Sequence, residues 1–424
     1  MQPTEFPLDK TNLEIGGNVE NSNIIIGNNN IIINFNSQGH NSLEWRLIRR
    51  ACLDISEPRV AFISQRFDTD LFIERKNISE AVDSFINLDG KNIFAIVGNS
   101  GYGKSSFLWG LTQKIENQEK VAYLFCDASL NIKSGNSLVT TLLYDLSLVL
   151  NLKPEDVLPT IDVSIKNGQK LVIIIDAINE FTRMKDVEYI LRDLNTLIAH
   201  YKWIKLIVSC RPHFWKYIQS QKGAIGIADK YFFRDEQSGD LFITLGRLNI
   251  FEAKVFYAKY QTNYNLEPVL FEDLNYDIQM CLREPMSLWL ISEICSGQNI
   301  ANRSDLIIDV RAVPAYIKKL EDHGELSADG TDRNFLQNTL TKLFFRDGIC
   351  TNFIPRSYIN KNSPHPNTFE IIYRLLRSGI LKEDGYSRLG FSFERFWGYF
   401  LGLELKMIAK QGTLYDCSQE ESVA

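Results

Sequence analysis

Residues 98–105 read Gly-Asn-Ser-Gly-Tyr-Gly-Lys-Ser. A β-rich apolar run, Asn92 to Val97, leads into them, and Phe107 to Asn117 follow with helical spacing. Glycines let a backbone turn with positive φ, so that successive N–H groups point into one concavity. A helix starting at that point turns its positive end on the same spot. GxxxxGK[ST] between a strand and a helix is therefore a phosphate-binding loop. In such a loop Gly98, Asn99, Ser100, Gly101, Tyr102 and Gly103 form the cradle. Lys104 reaches the β- and γ-phosphates, and the Ser105 hydroxyl binds Mg²⁺. Ser106 supports the helix start or a neighbouring phosphate.

The flanking sequence has the texture of a parallel sheet covered on both faces. Residues 121–128, 170–177 and 204–210 are short, β-rich and almost continuously apolar, and helical stretches near 136–149 and 186–200 separate them. Residues 241–245 suit a further strand. After about 248 the spacing becomes helical. Residues 334–348 read as a helix, and 351–402 as helix, strand pair and helix, a small winged-helix arrangement. The expected fold class is an α/β P-loop NTPase core with a parallel sheet, followed by an α-helical domain and a winged-helix-like domain. The boundaries fall at 71–248 for the core, 249–333 for the helical domain and 334–402 for the winged-helix-like domain. Residues 403–424 read as a tail. Before the core, 42–70 form a helical linker, with a short helix over 43–53 capped by Asn41 or Ser42 and a connection after Pro58.

Two further segments carry chemistry. The run Ile173-Ile174-Ile175-Asp176-Ala177-Ile178-Asn179-Glu180 ends a strand in a carboxylate, about seventy residues after the loop. Asp176 belongs beside the Mg²⁺ shell. Glu180 suits a general base that polarises the attacking water, with an acidic helix cap as the competing role. Asn179 holds water or the magnesium shell but accepts no proton. At the end of the 204–210 strand, Arg211 suits a γ-phosphate sensor or a holder of catalytic geometry, against a surface salt bridge. His213 reads as a loop residue.

Composition narrows the classes. The net charge of -6 over 424 residues gives no broad nucleic-acid footprint and argues against a DNA-directed motor, the third and weakest reading. Seven cysteines are scattered singly, which excludes a zinc cluster or a disulfide framework. No run approaches eighteen apolar residues, so no membrane partner is expected, and the start lacks a signal-peptide pattern. The cytoplasm is the expected compartment.

Residues 12–41 differ in kind, with ten Asn and seven Ile. Gly17-Asn18 and Gly27-Asn28 recur ten residues apart. Such punctuation suits tight turns between strands, and its low charge suits cross-β stacking between chains. A flexible tail, a small β module for oligomerisation and a stacking signal all remain open for 1–41.

The loop GNSGYGKSSF, the stretch IIIDAINE and the strand LIVSCRP together resemble signal-transducing NTPases of the STAND class, in particular the NACHT-like bacterial branch. The resemblance covers about residues 68–402. Leu71 to Arg75 resemble the element lining the adenine side, with Glu74 where the family usually has Gly. Arg75 is the residue carried over. Arg283-Glu284-Pro285 resemble the GxP element, whose proline, here Pro285, packs against the nucleotide. No histidine of residues 334–402 matches the one that touches the β-phosphate of ADP in many relatives. Ile24 to Ile31 resemble amyloid-forming signalling motifs.

The resemblance implies a switch. ATP and ADP with Mg²⁺ are its cofactors, Lys104, Asp176, Glu180 and Arg211 its catalytic set, and Ser105 and Asp176 its metal-binding pair. Hydrolysis is slow, activation produces a nucleotide-dependent oligomer, and a separate effector is engaged through 12–41, in defence against phage or in stress signalling. The competing expectation is a nucleotide-dependent scaffold with negligible hydrolysis that assembles through its N-terminus.

Overall fold

The computed structural model describes residues 23–26, 31–34, 42–64, 68–128, 138–180, 184–225, 229–307, 309–346, 349–351, 353–363, 365–383 and 387–410. Within the leader, β1 (Asn23–Ile26) and β2 (Ile31–Asn34) pair antiparallel, with Ile26 opposite Ile31 and Asn23 opposite Asn34. The Gly17-Asn18 and Gly27-Asn28 turns expected there lie outside the described residues.

The core is a five-stranded sheet of β3 (Ile93–Val97), β4 (Val121–Asp127), β5 (Lys170–Asp176), β6 (Ile204–Cys210) and β7 (Ile243–Thr244), in the order β4-β5-β6-β3-β7. Every pairing in it is parallel. Alternate residues of a strand face opposite sides. Ile93, Ala95 and Val97 accordingly join one apolar cluster with the helices Leu138–Leu150 and Met184–His200, while Phe94 and Ile96 join another with Lys76–Asn87 and Lys104–Glu116. Burial on both faces explains the uninterrupted apolar runs. The order also places β3 beside β6, and β6 beside β5, so the carboxyl ends of these three strands meet at one edge of the molecule, where open α/β sheets bind ligands.

One outer edge of the sheet is closed by side chains. Ser56 Oγ donates to the Tyr123 carbonyl and accepts from the Phe125 amide. Arg49 Nε donates to Val121 O at 3.0 Å, and Arg59 Nη1 to Phe125 O at 3.1 Å. All three belong to the helix Trp45–Ser64, which therefore runs along β4 and satisfies its outward-facing backbone. This helix is longer than the one expected over 43–53. The observed helix continues through Pro58, although an interior proline costs about 3 kcal/mol. Burial of Val60 and Ile63 and the Arg59–Asp145 ion pair offset that cost.

After the core, helices Ile250–Asn263, Tyr276–Leu282, Pro285–Ile294 and Asp309–Asp322 share an apolar cluster with the C-terminal elements. The helix expected over 334–348 stops at Phe344 after a π-helical turn, Leu336–Leu340, and the chain becomes extended as β8 (Phe345–Arg346) and β9 (Ile349–Cys350). Then β10 (Ile354–Pro355), β11 (Leu381–Glu383) and β12 (Arg388–Phe391) form an antiparallel sheet ordered β10-β12-β11. With the helices Arg356–Asn362, Thr368–Arg377 and Glu394–Lys410 this is a winged-helix-like arrangement. The strand expected over 241–245 is shorter than its apolar run, and the helix Pro154–Ser164 appears where the sequence reading placed no element.

Candidate functional site

The glycines after β3 are explained by what surrounds them. A Cβ on Gly98 would sit 2.4 Å from the Leu245 carbonyl oxygen. Gly101 and Gly103 have φ of +80° and +86°, and a Cβ on Gly101 would meet Met286 Cβ at 2.8 Å. The loop therefore turns tightly between the end of β3 and the helix Pro285–Ile294, whose Met286 amide donates to Gly101 O at 3.1 Å. Lys104 opens the next helix. Its ammonium donates to the carbonyls of Gly98 at 2.8 Å and Asn99 at 2.9 Å. Burial lowers the Lys104 pKa from its ordinary value, with the nearby Asp176 carboxylate opposing.

Beside the loop, the ends of β5 and β6 brace each other. Asp176 is fully buried, and its Oδ1 accepts from Ser209 Oγ at 2.5 Å. The same Ser209 Oγ accepts from the Ala177 amide at 2.8 Å. Ala177 has φ of +54°, a conformation that costs a non-glycine residue about 1 kcal/mol or more. The Ser209 bond and the Glu180 amide bond to Ala177 O, 2.8 Å, hold it there. Asn179 Oδ1 accepts from the Arg211 amide at 3.2 Å. The turn after β5 is thus clamped to the end of β6, which fixes where Asp176, Asn179 and Glu180 sit.

These groups line one cavity of about 340 Å³. Ser100, Gly101, Gly103, Lys104, Ser105 and Ser106 form its floor, and Asp176, Asn179, Glu180 and Arg211 one side. Pro285, Met286, Tyr260 and Trp289 also line it. The opposite wall comes from the C-terminal part: Phe344, Phe353, Lys382, Phe391, Phe393 and Trp397, with Thr351 and Ser392 as its hydroxyls. The Trp289 and Phe393 rings pack at 5.4 Å between centroids, and Phe344, Phe391 and Trp397 pack against one another at 5.3–5.7 Å.

Four expected cradle or base-side residues stand back from the cavity. Gly98 and Asn99 contribute carbonyls to Lys104. Tyr102 neighbours the Arg247 guanidinium. Arg75 forms a 3.0 Å ion pair with Glu252, at 12% side-chain exposure, and also reaches the Gly246 carbonyl. It ties the segment before β3 to the helix Ile250–Asn263.

Two ion pairs, Arg395–Glu284 and Lys382–Glu180, tie the C-terminal part to the segments before it. Glu284 accepts from Arg247 at 2.6 Å and from Arg395 at 2.5 Å, and Arg395 also donates to Ser287 Oγ at 2.7 Å. Glu180 faces Lys382 at 3.6 Å. Tyr260, Trp289, Lys382 and the aromatic wall were not singled out from the sequence. They reach the cavity through packing of segments far apart in the chain, and no spacing rule marks them.

Chemically, a helix N-terminus, an ammonium and a guanidinium face one cavity with a buried carboxylate beside them, an arrangement suited to a polyanion accompanied by a hard cation. Among the described residues no group of three or more His, Cys, Asp or Glu gathers as a self-sufficient metal site. No helix among them is long and apolar enough to cross a membrane.

The strand order, with the glycine-rich loop leaving β3 into a helix and the carboxylate ending β5, defines the α/β core as a P-loop NTPase fold followed by helical domains. No family model and no curated protein matches the chain. Among solved structures it is similar to the Walker-type ATPase paby2304 of Pyrococcus abyssi, at 13% identity and a TM-score of 0.41, covering 78% of this chain and 96% of that one. It is also similar to Cdc6p from Pyrobaculum aerophilum, at 12% identity and a TM-score of 0.34, covering 80% and 94%. For Hsp104 of S. cerevisiae in its casein complex the values are 13%, 0.37, 72% and 50%.

Proposed function

We propose that this chain is a STAND-type, ATP-dependent signalling switch of the NACHT-like branch, which hydrolyses ATP slowly and self-associates when activated. The observation that carries this reading is the convergence of Lys104, Asp176, Glu180 and Arg211 on one cavity from the ends of three adjacent strands. Lys104 and the loop amides hold the β- and γ-phosphates. Ser105 and Asp176 hold Mg²⁺: a hydroxyl and a buried carboxylate facing the same space are the hard oxygen donors that ion takes. The bound ion supplies neutralisation of phosphate charge. Glu180 takes a proton from water as its oxygen bonds to the γ-phosphorus and the bond to ADP breaks. Arg211 stabilises the charge that develops on the phosphoryl oxygens. Pro285 packs beside the nucleotide. Residues 12–41 contact a separate effector, in antiphage defence or stress signalling.

Titration with ATP and ADP in the presence of Mg²⁺ tests the reading, with mass measured in each nucleotide state. Binding that disappears in Lys104→Ala, together with a larger assembly in the ATP state, is the expected result. Equal affinity in wild type and Lys104→Ala would overturn it.

The loose contact between Glu180 and Lys382 favours a second reading, a nucleotide-dependent scaffold with negligible turnover. Phosphate release by wild type and by Glu180→Gln separates the two. A wild-type rate well above the variant's supports the switch, and equal inactivity with retained ATP binding supports the scaffold.

A further inference from the structure

Lys382 is the one lysine among the cavity's described lining residues that comes from outside the α/β core. It lies on β11 opposite Gly390 of β12, and only 13% of its side chain is exposed. Its ammonium stands 5.2 Å from the centre of the Phe353 ring, which fixes the direction of the stem. From there it faces Glu180 Oε2 at 3.6 Å, beyond hydrogen-bond length. A second link of the C-terminal part, Arg395 to Glu284 at the start of the helix Pro285–Ile294, closes at 2.5 Å and is shared with Arg247. One link is a tight clamp, and the other is a loose pair inside the cavity.

Charge and position say what the loose pair is suited to do. Three cationic side chains, Lys104, Arg211 and Lys382, line the cavity with two carboxylates, Asp176 and Glu180. The group that orients the attacking water lies by the terminal phosphate of a triphosphate, and a cation paired to that group lies at the same end. A terminal phosphate carries more charge than one carboxylate and offers more acceptor oxygens.

We infer that Lys382 distinguishes nucleoside triphosphate from diphosphate by exchanging partners, leaving Glu180 for the terminal phosphate when one is present. This rests on the reading of the cavity as a nucleotide site. A triphosphate thus gains a contact from the C-terminal sheet and frees the Glu180 carboxylate in the same step. A diphosphate leaves the Lys382–Glu180 pair in place.

The test is the ratio of ADP to AMPPNP dissociation constants, measured by calorimetry with Mg²⁺ on the full chain. Lys382→Met is expected to lower the preference for AMPPNP about tenfold, with ADP affinity changed much less. Lys382→Arg keeps the preference. Glu180→Gln raises it in the wild-type background, because the lysine no longer has a competing carboxylate, and leaves it unchanged in the Lys382→Met background. A purely structural Lys382 would alter both nucleotides alike or alter thermal stability alone, and either result overturns the inference. If wild type binds ADP and AMPPNP but Lys382→Met keeps the wild-type ratio, only this inference fails. If wild type binds neither, the nucleotide reading fails with it.

Discussion

Two lysines sit at opposite ends of the core sheet, Lys104 partly exposed and Lys205 buried, and both grip backbone carbonyls. Lys104, just past β3, holds Gly98 O and Asn99 O. Lys205, near the start of β6, holds Leu88 O and Lys91 O and lies 4.9 Å from the Phe85 ring centre. Burial lowers the pKa of both. The local device is the same, yet the surroundings differ. Lys104 opens on a 340 Å³ cavity lined by Asp176, Glu180 and Arg211. Lys205 is 0% exposed and has only Asp89 as a nearby carboxylate influence, opposed by Lys170. A lysine in a nest of carbonyls is thus a structural brace. It becomes a candidate ligand-binding group only where space, a helix N-terminus and acidic partners meet around it.

Paired substitutions should break this symmetry. Lys104→Met is expected to weaken MgATP binding by about 100-fold, because a charge-assisted phosphate contact is lost, while urea midpoints move little. Lys205→Met is expected to do the reverse: a loss of about 1–3 kcal/mol in urea unfolding, with nucleotide affinity unchanged. If the two variants gave the same profile, the distinction between brace and ligand would be wrong.

A smaller effect is expected at the clamp beside the first lysine. Ser209→Ala removes the oxygen that joins Asp176 to the strained Ala177, at a cost of about 1–2 kcal/mol in stability, together with weaker Mg²⁺ dependence of ATP binding. The gentlest measurement uses pH. Lys205 falls from an ordinary 10.5 to about 8 when folded, chiefly through burial. Between those values the unfolded chain holds a proton that the folded chain has released, so this group's contribution to stability rises with pH across that window and is flat below about 8. The stability difference between wild type and Lys205→Met should therefore grow from pH 8 to 10.5. A flat difference would mean that Lys205 stays charged.

The carboxyl-end lysine was legible in the sequence because its meaning is local: eight consecutive residues specify the turn, the helix start and the cation. The strands were legible for a related reason. Burial on both faces leaves near-continuous apolar runs such as Leu171 to Ile175. Lys205 looks like an interruption of such a run, and nothing in its neighbours announces carbonyl partners more than a hundred positions earlier in the chain. Pro58 misled because local propensity favours a helix end there, whereas packing along β4 holds the helix together. Lys382 was invisible for a third reason. Its partner Glu180 lies two hundred residues away, and only the seating of the C-terminal sheet over the cavity brings them together.

The side-chain cover along β4 has a consequence for how copies of this chain meet. Ser56, Arg49 and Arg59 already occupy backbone acceptors at Val121, Tyr123 and Phe125 and the amide of Phe125. A neighbouring molecule therefore cannot lengthen this sheet by laying a strand along that border without first peeling away a twenty-residue helix. Self-association on this flank is left to side-chain surfaces, so a ring or stack built there would be sensitive to surface charge and shape rather than to backbone register.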